Sequence, residues 1–138
     1  MAEGRFPNFI IVGAAKCGTT SLYRFLSIHP QVYMSPIKET NFFSTDFNPT
    51  EFSDHHKKVL LKDLTKFVEG NMNEDIFNAF ITDEKIYKKL FKNVKDEIAI
   101  GEVTPGYIYS KTAAKNIKSK IPDCKIVIVL RSPVRRAF

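Results

Sequence analysis

Four apolar residues in a row, Phe9 to Val12, stand directly before a glycine, and the strongest hydrophobic signals in the chain are short unbroken runs of this kind. Such a run, bounded by turn residues, predicts a strand covered on both faces, as in a parallel sheet. Val32 to Met34 predicts a brief second strand, Ile98 to Val103 a third and Lys125 to Leu130 a fourth, also buried. Between them the spacing turns helical. Thr20 to Ile28 places Leu22, Phe25 and Leu26 on one face, and His29-Pro30 predicts the stop. Thr82 to Val94 spaces Ile86, Leu90 and Phe91 helically with its lysines elsewhere, predicting an amphipathic helix with a solvated charged face. Ser110 to Lys120 predicts another helix, with Ser110 as its N-cap. Strands alternating with helices imply βαβ units, hence an α/β fold around a parallel central sheet.

The pattern weakens from Ser44 to Asn78, where Asn, Asp and Pro clusters surround one helical piece, Glu51 to Phe67. That stretch reads as an insertion over a rigid scaffold. The chain's 138 residues suffice for the core of a single domain, 1–138. After Leu130, "RSPVRRAF" reads as a turn and the opening of a helix, so the chain is expected to be the N-terminal part of a longer protein.

Charge narrows the partners only to a class. With 21 Lys+Arg against 15 Asp+Glu the net charge is +6, which favours anions. A nucleic-acid module is disfavoured, since no basic stripe is interleaved with aromatics. No run is long enough to cross a bilayer, and the start lacks the apolar core of a signal peptide. Cys17 and Cys124 lie in separate motifs, without the spacing of a disulfide framework or metal site, which favours a reduced, cytoplasmic setting.

The candidate chemistry sits in "FIIVGAAKCGTTSL", Phe9 to Leu22. A strand, a glycine turn and a helix opening on Thr19, Thr20 and Ser21 form an anion site, because unpaired backbone N–H groups and the helix dipole both face the turn. Lys16 adds a full charge, Gly13 and Gly18 let the backbone turn tightly, and the hydroxyls can donate to terminal phosphate oxygens. The common triphosphate loop, G-x-x-x-x-G-K-[ST], puts its lysine behind the last glycine. Here Lys16 precedes Gly18, which lets it reach the far side of a bound group, where a transferring unit leaves its bridging oxygen. A kinase or ATPase would also place an acidic metal partner at the end of a neighbouring strand. The fourth predicted strand ends instead in Arg131, pointing to a second anion rather than a metal.

"AAKCGTTSL" resembles the 5′-phosphosulfate loop of the sulfotransferases that use 3′-phosphoadenosine 5′-phosphosulfate, and "VLRSPVRRAF" resembles their Arg-x-Pro-x-x-Arg 3′-phosphate motif. "HPQV", "KETNFF" and "GEVTPGYIYS" are similar to segments of the branch containing the glucosaminyl N- and 3-O-sulfotransferases and bacterial relatives. The resemblance implies a three-layer α/β fold of the P-loop type and transfer of a sulfuryl group to a hydroxyl or amine of a small-molecule or carbohydrate acceptor. The donor would be 3′-phosphoadenosine 5′-phosphosulfate, the product 3′,5′-adenosine bisphosphate, and no metal is expected. It also implies a variable insertion over residues 44–94, and it implies site roles. Lys16 would contact the 5′ phosphate and stabilise the leaving oxygen, with Cys17, Gly18, Thr19, Thr20 and Ser21 in the same loop. Arg131 would hold the 3′ phosphate, and Glu39 would be the general base. Where many glycosaminoglycan enzymes carry a second lysine, this chain has Val103; Glu102, Thr104 and Tyr107 remain possible site-lining residues. A small-molecule or nucleoside kinase and a non-catalytic nucleotide-binding fragment are the alternatives.

Overall fold

The structure is a computed structural model and describes residues 3–137. Its centre is a four-stranded sheet in the order β2-β5-β1-β6, built from β1 (Phe9–Gly13), β2 (Val32–Met34), β5 (Ala99–Val103) and β6 (Lys125–Ile128). Every pairing in it is parallel, and β1 is hydrogen-bonded on both sides. Side chains alternate across the sheet. On one face Ile10 and Val12 pack with Phe42, Phe43, Tyr87, Phe91 and Ile117. On the other, Ile11 and Val103 pack with Tyr23 and Met34.

Helix α1 (Thr19–Ser27) covers this second face. It presents Tyr23 and, less fully, Leu22 and Leu26, while Phe25 is 71% exposed. Phe25 therefore does not lie on the buried face expected for it; the stripe is rotated toward Tyr23, whose hydroxyl donates to the Ser35 carbonyl at 2.8 Å. Helix α5 (Ala113–Lys120) covers the first face through Ala113 and Ile117. It starts later than predicted because the Ser110 hydroxyl accepts from the N–H groups of Thr112 and Ala113, capping the turn from outside it.

The predicted helix from Glu51 to Phe67 is broken into α2 (Asp54–Leu60) and α3 (Thr65–Glu69), preceded by a short 3-10 turn. Phe52 and Ser53 are extended, which ends the turn and starts α2 afresh. Helix α4 (Glu84–Lys89) begins two residues beyond the expected start, since Asp83 caps it by accepting from Lys85 and Ile86. Strands β3 (Ile37–Lys38) and β4 (Ile76–Phe77) form a separate parallel pair. The stretch 44–94 is not a surface layer. Its Leu64, Val68, Ile81, Tyr87, Leu90 and Phe91 are all buried in the main core. Strand β6 departs from expectation in the opposite sense: Ile126, Val127 and Ile128 are exposed, and β6 is the last strand of the sheet, with β1 its only strand neighbour among the described residues. No helix among the described residues is long and apolar enough to cross a membrane.

Candidate functional site

The loop from Ala14 to Gly18 joins the carboxyl end of central β1 to the start of α1. Lys16 and Gly18 are both left-handed, at φ 61° and 87°. A Cβ on Gly18 would meet nothing, so glycine is favoured there by backbone conformation and not by space. The Cys17 N–H closes the turn on the Ala14 carbonyl at 3.3 Å. Among the described residues, the N–H groups of Lys16, Gly18, Thr19, Thr20 and Ser21 have no acceptor within the protein. These free donors lie at the N-terminus of α1 beside the exposed Lys16, an arrangement that favours a phosphate-like anion. Thr20 and Ser21 are exposed on the first turn, while Thr19 and Cys17 are buried beneath it. The Cys17 thiol donates to the Ala15 carbonyl, so this residue fills the loop from inside.

The two strands beside β1 bring different groups to the same sheet edge. On one flank, the Ala14 N–H donates to Val129 and the Val129 N–H to Gly13, carrying the pairing past β6 toward Arg131. Arg131 is exposed there, ahead of α6 (Pro133–Ala137). Arg136 in α6 turns back to the loop: Nε donates to the Ala15 carbonyl at 3.0 Å and a terminal nitrogen to the Tyr109 hydroxyl at 3.2 Å. Sequence reasoning did not single out Arg136, although it is the second arginine of the Arg-x-Pro-x-x-Arg pattern.

On the other flank, the Glu39 N–H donates to the Val103 carbonyl at the end of β5, at 2.7 Å. Glu39 and Asn41 are left-handed at φ 65° and 54°. Non-glycine residues held this way concentrate at functional sites, where surrounding structure over-determines the backbone. Here the Asn41 amide donates to the Ala79 carbonyl at 2.7 Å, and the Ala79 N–H donates to the Glu39 carbonyl at 2.9 Å. Lys38 is buried, and its ammonium donates to Glu39 Oε1 at 2.6 Å. The Glu39 side chain remains 36% exposed.

Glu102, Thr104 and Tyr107, expected as possible lining residues, are all buried behind the turn that carries Glu39. The Glu102 carboxylate accepts from four hydroxyls: Tyr87 and Tyr107 on Oε1, Thr40 and Thr104 on Oε2. Burial pushes this carboxyl above its ordinary value, against the pull of those donors. Burial, with the Glu102 charge beside them, holds Tyr87 and Tyr107 well above an ordinary phenol, so both stay protonated and able to donate.

Against known proteins, residues 7–138 match the sulfotransferase family. The chain belongs to that family. A sulfotransferase from Alicyclobacillus acidocaldarius is 39% identical in sequence and superposes with a TM-score of 0.69, over 97% of this chain and 48% of that one. The human heparan sulfate glucosamine 3-O-sulfotransferase 6 is 27% identical over 97% of this chain and 29% of its own length. The membrane-associated sulfotransferase kil1 of Dictyostelium discoideum is 26% identical over 96% of this chain and 22% of its own. The chain thus spans under a third of these curated relatives. The loop after β1 fits the phosphorylated donor that the family implies: unpaired N–H groups, an exposed lysine and two exposed hydroxyls stand together at the start of α1.

Proposed function

We propose that this protein transfers a sulfuryl group from 3′-phosphoadenosine 5′-phosphosulfate to a hydroxyl or amine. The observation that carries the reading is the placement of three functional groups along one sheet edge. The Lys16 loop follows central β1, Glu39 is tied to the end of β5, and Arg131 follows β6. Ligands bind at the carboxyl ends of strands in open α/β sheets, and these strands deliver both cations and the carboxylate there.

When bound, the donor supplies an activated sulfuryl group attached to a 5′ phosphate. The free N–H groups of Lys16, Gly18, Thr19, Thr20 and Ser21 would hold that phosphate, and the Lys16 ammonium would stabilise charge growing on the bridging oxygen. Arg131 holds the 3′ phosphate, which orients the nucleotide across β1. Glu39 takes the acceptor's proton. Its Oε1 is held by Lys38, and Oε2, without a partner among the described residues, receives the proton. The relatives' names point to glucosamine-containing carbohydrate as one acceptor class. A reduced, cytoplasmic setting remains part of the proposal, supported by the free thiols Cys17 and Cys124.

The test is calorimetric titration of the full-length protein with 3′,5′-adenosine bisphosphate and with 5′-AMP, beside transfer of ³⁵S from labelled donor to a glucosamine oligosaccharide. Tighter binding of the bisphosphate and label in the sugar, lost in Glu39→Gln with binding retained, support the reading. Equal binding of both nucleotides and no labelled product would overturn it.

A further inference from the structure

The turn from Glu39 to Phe43 contains two left-handed residues and carries the candidate base, and beside its bonds to Ala79 and Val103 a second set of hydrogen bonds leads inward to one buried side chain. The Thr40 N–H donates to Thr104 Oγ1 at 3.1 Å, and that hydroxyl donates to Glu102 Oε2 at 3.0 Å. The Phe43 N–H donates to the Tyr107 hydroxyl at 3.3 Å, which donates to Glu102 Oε1 at 3.0 Å. Thr40 Oγ1 donates directly to Oε2 at 2.7 Å, and Tyr87 from α4 donates to Oε1 at 2.7 Å. The Phe42 N–H donates to Thr40 Oγ1 at 3.5 Å, so three main-chain amides of the turn end, through one hydroxyl each, on the same carboxylate. Glu102 is fully buried and belongs to β5, which is paired on both sides in the sheet.

We infer that Glu102 is a positioning residue, whose carboxylate fixes the Glu39 turn to the rigid sheet through four hydroxyl donors. A carboxylate suits this role because it is acceptor-only and can take two bonds on each oxygen. All four donors can then point inward at once, which leaves the Thr104 and Tyr107 oxygens free to accept from the turn's amides. An amide in the same place must turn its NH₂ toward two of the hydroxyls, reversing one pair and releasing the main-chain amide behind it. Displacing a catalytic group by about 1 Å costs on the order of 100-fold in rate, so a small relaxation of this turn is enough to matter.

The inference rests on the proposed role of Glu39, and the experiment separates the two. Amide hydrogen exchange in the free chain is compared for wild type and Glu102→Gln, with Thr104→Val and Tyr107→Phe as gentler changes that each remove one relay. The expected result is about tenfold loss of protection at Thr40 in Thr104→Val, at Phe43 in Tyr107→Phe, and at whichever of the two lies behind the reversed pair in Glu102→Gln. The amides of Ile11 and Val103 in the sheet should keep theirs. Unchanged protection at Thr40 and Phe43, or an equal loss at Ile11 and Val103, overturns the positioning role whether or not the chain transfers sulfate. In the transfer assay, Glu102→Gln should lower kcat roughly ten- to a hundredfold with KM for the donor unchanged. The double variant Glu39→Gln/Glu102→Gln should be no slower than Glu39→Gln alone. Multiplying rate losses would show that Glu102 does not act through Glu39. Failure of Glu39→Gln to slow transfer, with the exchange pattern as expected, would overturn the base assignment and leave Glu102 fixing a turn of other purpose.

Discussion

The Arg136 guanidinium donates to the main-chain carbonyl of Ala15, joining α6 to the loop built around Lys16. It also reaches the Tyr109 hydroxyl, so one side chain ties together the segments that follow β1, β5 and β6. An arginine fork can hold two acceptors at once where a lysine offers a single mobile charge. Arg136→Lys should therefore weaken binding of 3′,5′-adenosine bisphosphate nearly as much as Arg136→Ala. The bond is solvent-exposed, and a net worth of about 0.5 to 1.5 kcal/mol gives a loss of roughly two- to tenfold. Calorimetric titration reads it directly, and full affinity in Arg136→Lys would show that charge alone matters.

Lys16→Ala should separate binding from chemistry. Five unpaired N–H groups of the loop remain to hold the 5′ phosphate, since the backbone from Lys16 to Ser21 supplies them whatever the side chain. The ammonium acts on charge that grows during transfer, and removing one such group costs on the order of 100- to 1000-fold in rate. Single-turnover rates beside nucleotide affinities decide the matter. A tenfold or greater loss of affinity with an unchanged rate would make Lys16 a phosphate clamp only.

The sheet was legible because its strands are short apolar runs and parallel strands must be buried. The phosphate loop was legible because lysine, glycines and hydroxyls stand together in sequence between a strand and a helix. Glu39 was named only through resemblance to a family, and nothing in its own neighbourhood showed that it would be left-handed. The Glu102 network was not legible: its members come from Thr40, Tyr87, Thr104 and Tyr107, and only the fold brings them together. Strands β3 and β4 are two residues each, too short for any periodicity to show. Phe25 misled because helical spacing fixes a face only to within a residue or two, and Tyr23 won the buried position by reaching the Ser35 carbonyl.

Asp46 gives a prediction in pH. Its carboxylate accepts from the Ser110 hydroxyl, the Lys111 N–H and the Thr112 hydroxyl, and these bonds, Ser110 foremost, hold its pKa down from 3.8 to about 2. A carboxyl lowered on folding stabilises the fold above its unfolded value and loses that contribution as pH falls toward its folded value. Asp46→Asn should thus have a lower melting temperature than wild type at pH 6, with the gap closing between about pH 4 and pH 2. Melting curves across that window check it, and a gap that stayed constant would show that the charge of Asp46 contributes nothing.

The stretch 44–94 gives the last prediction, because its packing decides whether it is an accessory layer or part of the domain's foundation. Phe91 is 1% exposed, with its ring centroid 5.6 Å from that of Tyr87 and 6.3 Å from that of Tyr33 in β2. The adjoining main chain is fixed as well, since the Tyr33 hydroxyl donates to the Leu90 carbonyl at 2.8 Å. Lys92 secures the same segment to α3, donating to the carbonyls of Val68 and Gly70 at its C-terminus, where a cation also complements the helix dipole. Emptying a buried aromatic site costs about 3 to 5 kcal/mol, from lost transfer energy and the cavity left behind. A substitution in a surface layer stays within about 0.5 kcal/mol. Phe91→Ala should therefore lower the free energy of unfolding by the larger amount, in one cooperative transition with the sheet. Urea unfolding followed by both far-UV circular dichroism and tyrosine fluorescence distinguishes the cases. Coincident curves shifted together mean that the stretch and the sheet share one core; an early far-UV step, as α2, α3 and α4 melt ahead of the main tyrosine transition, would mean that the stretch unfolds on its own.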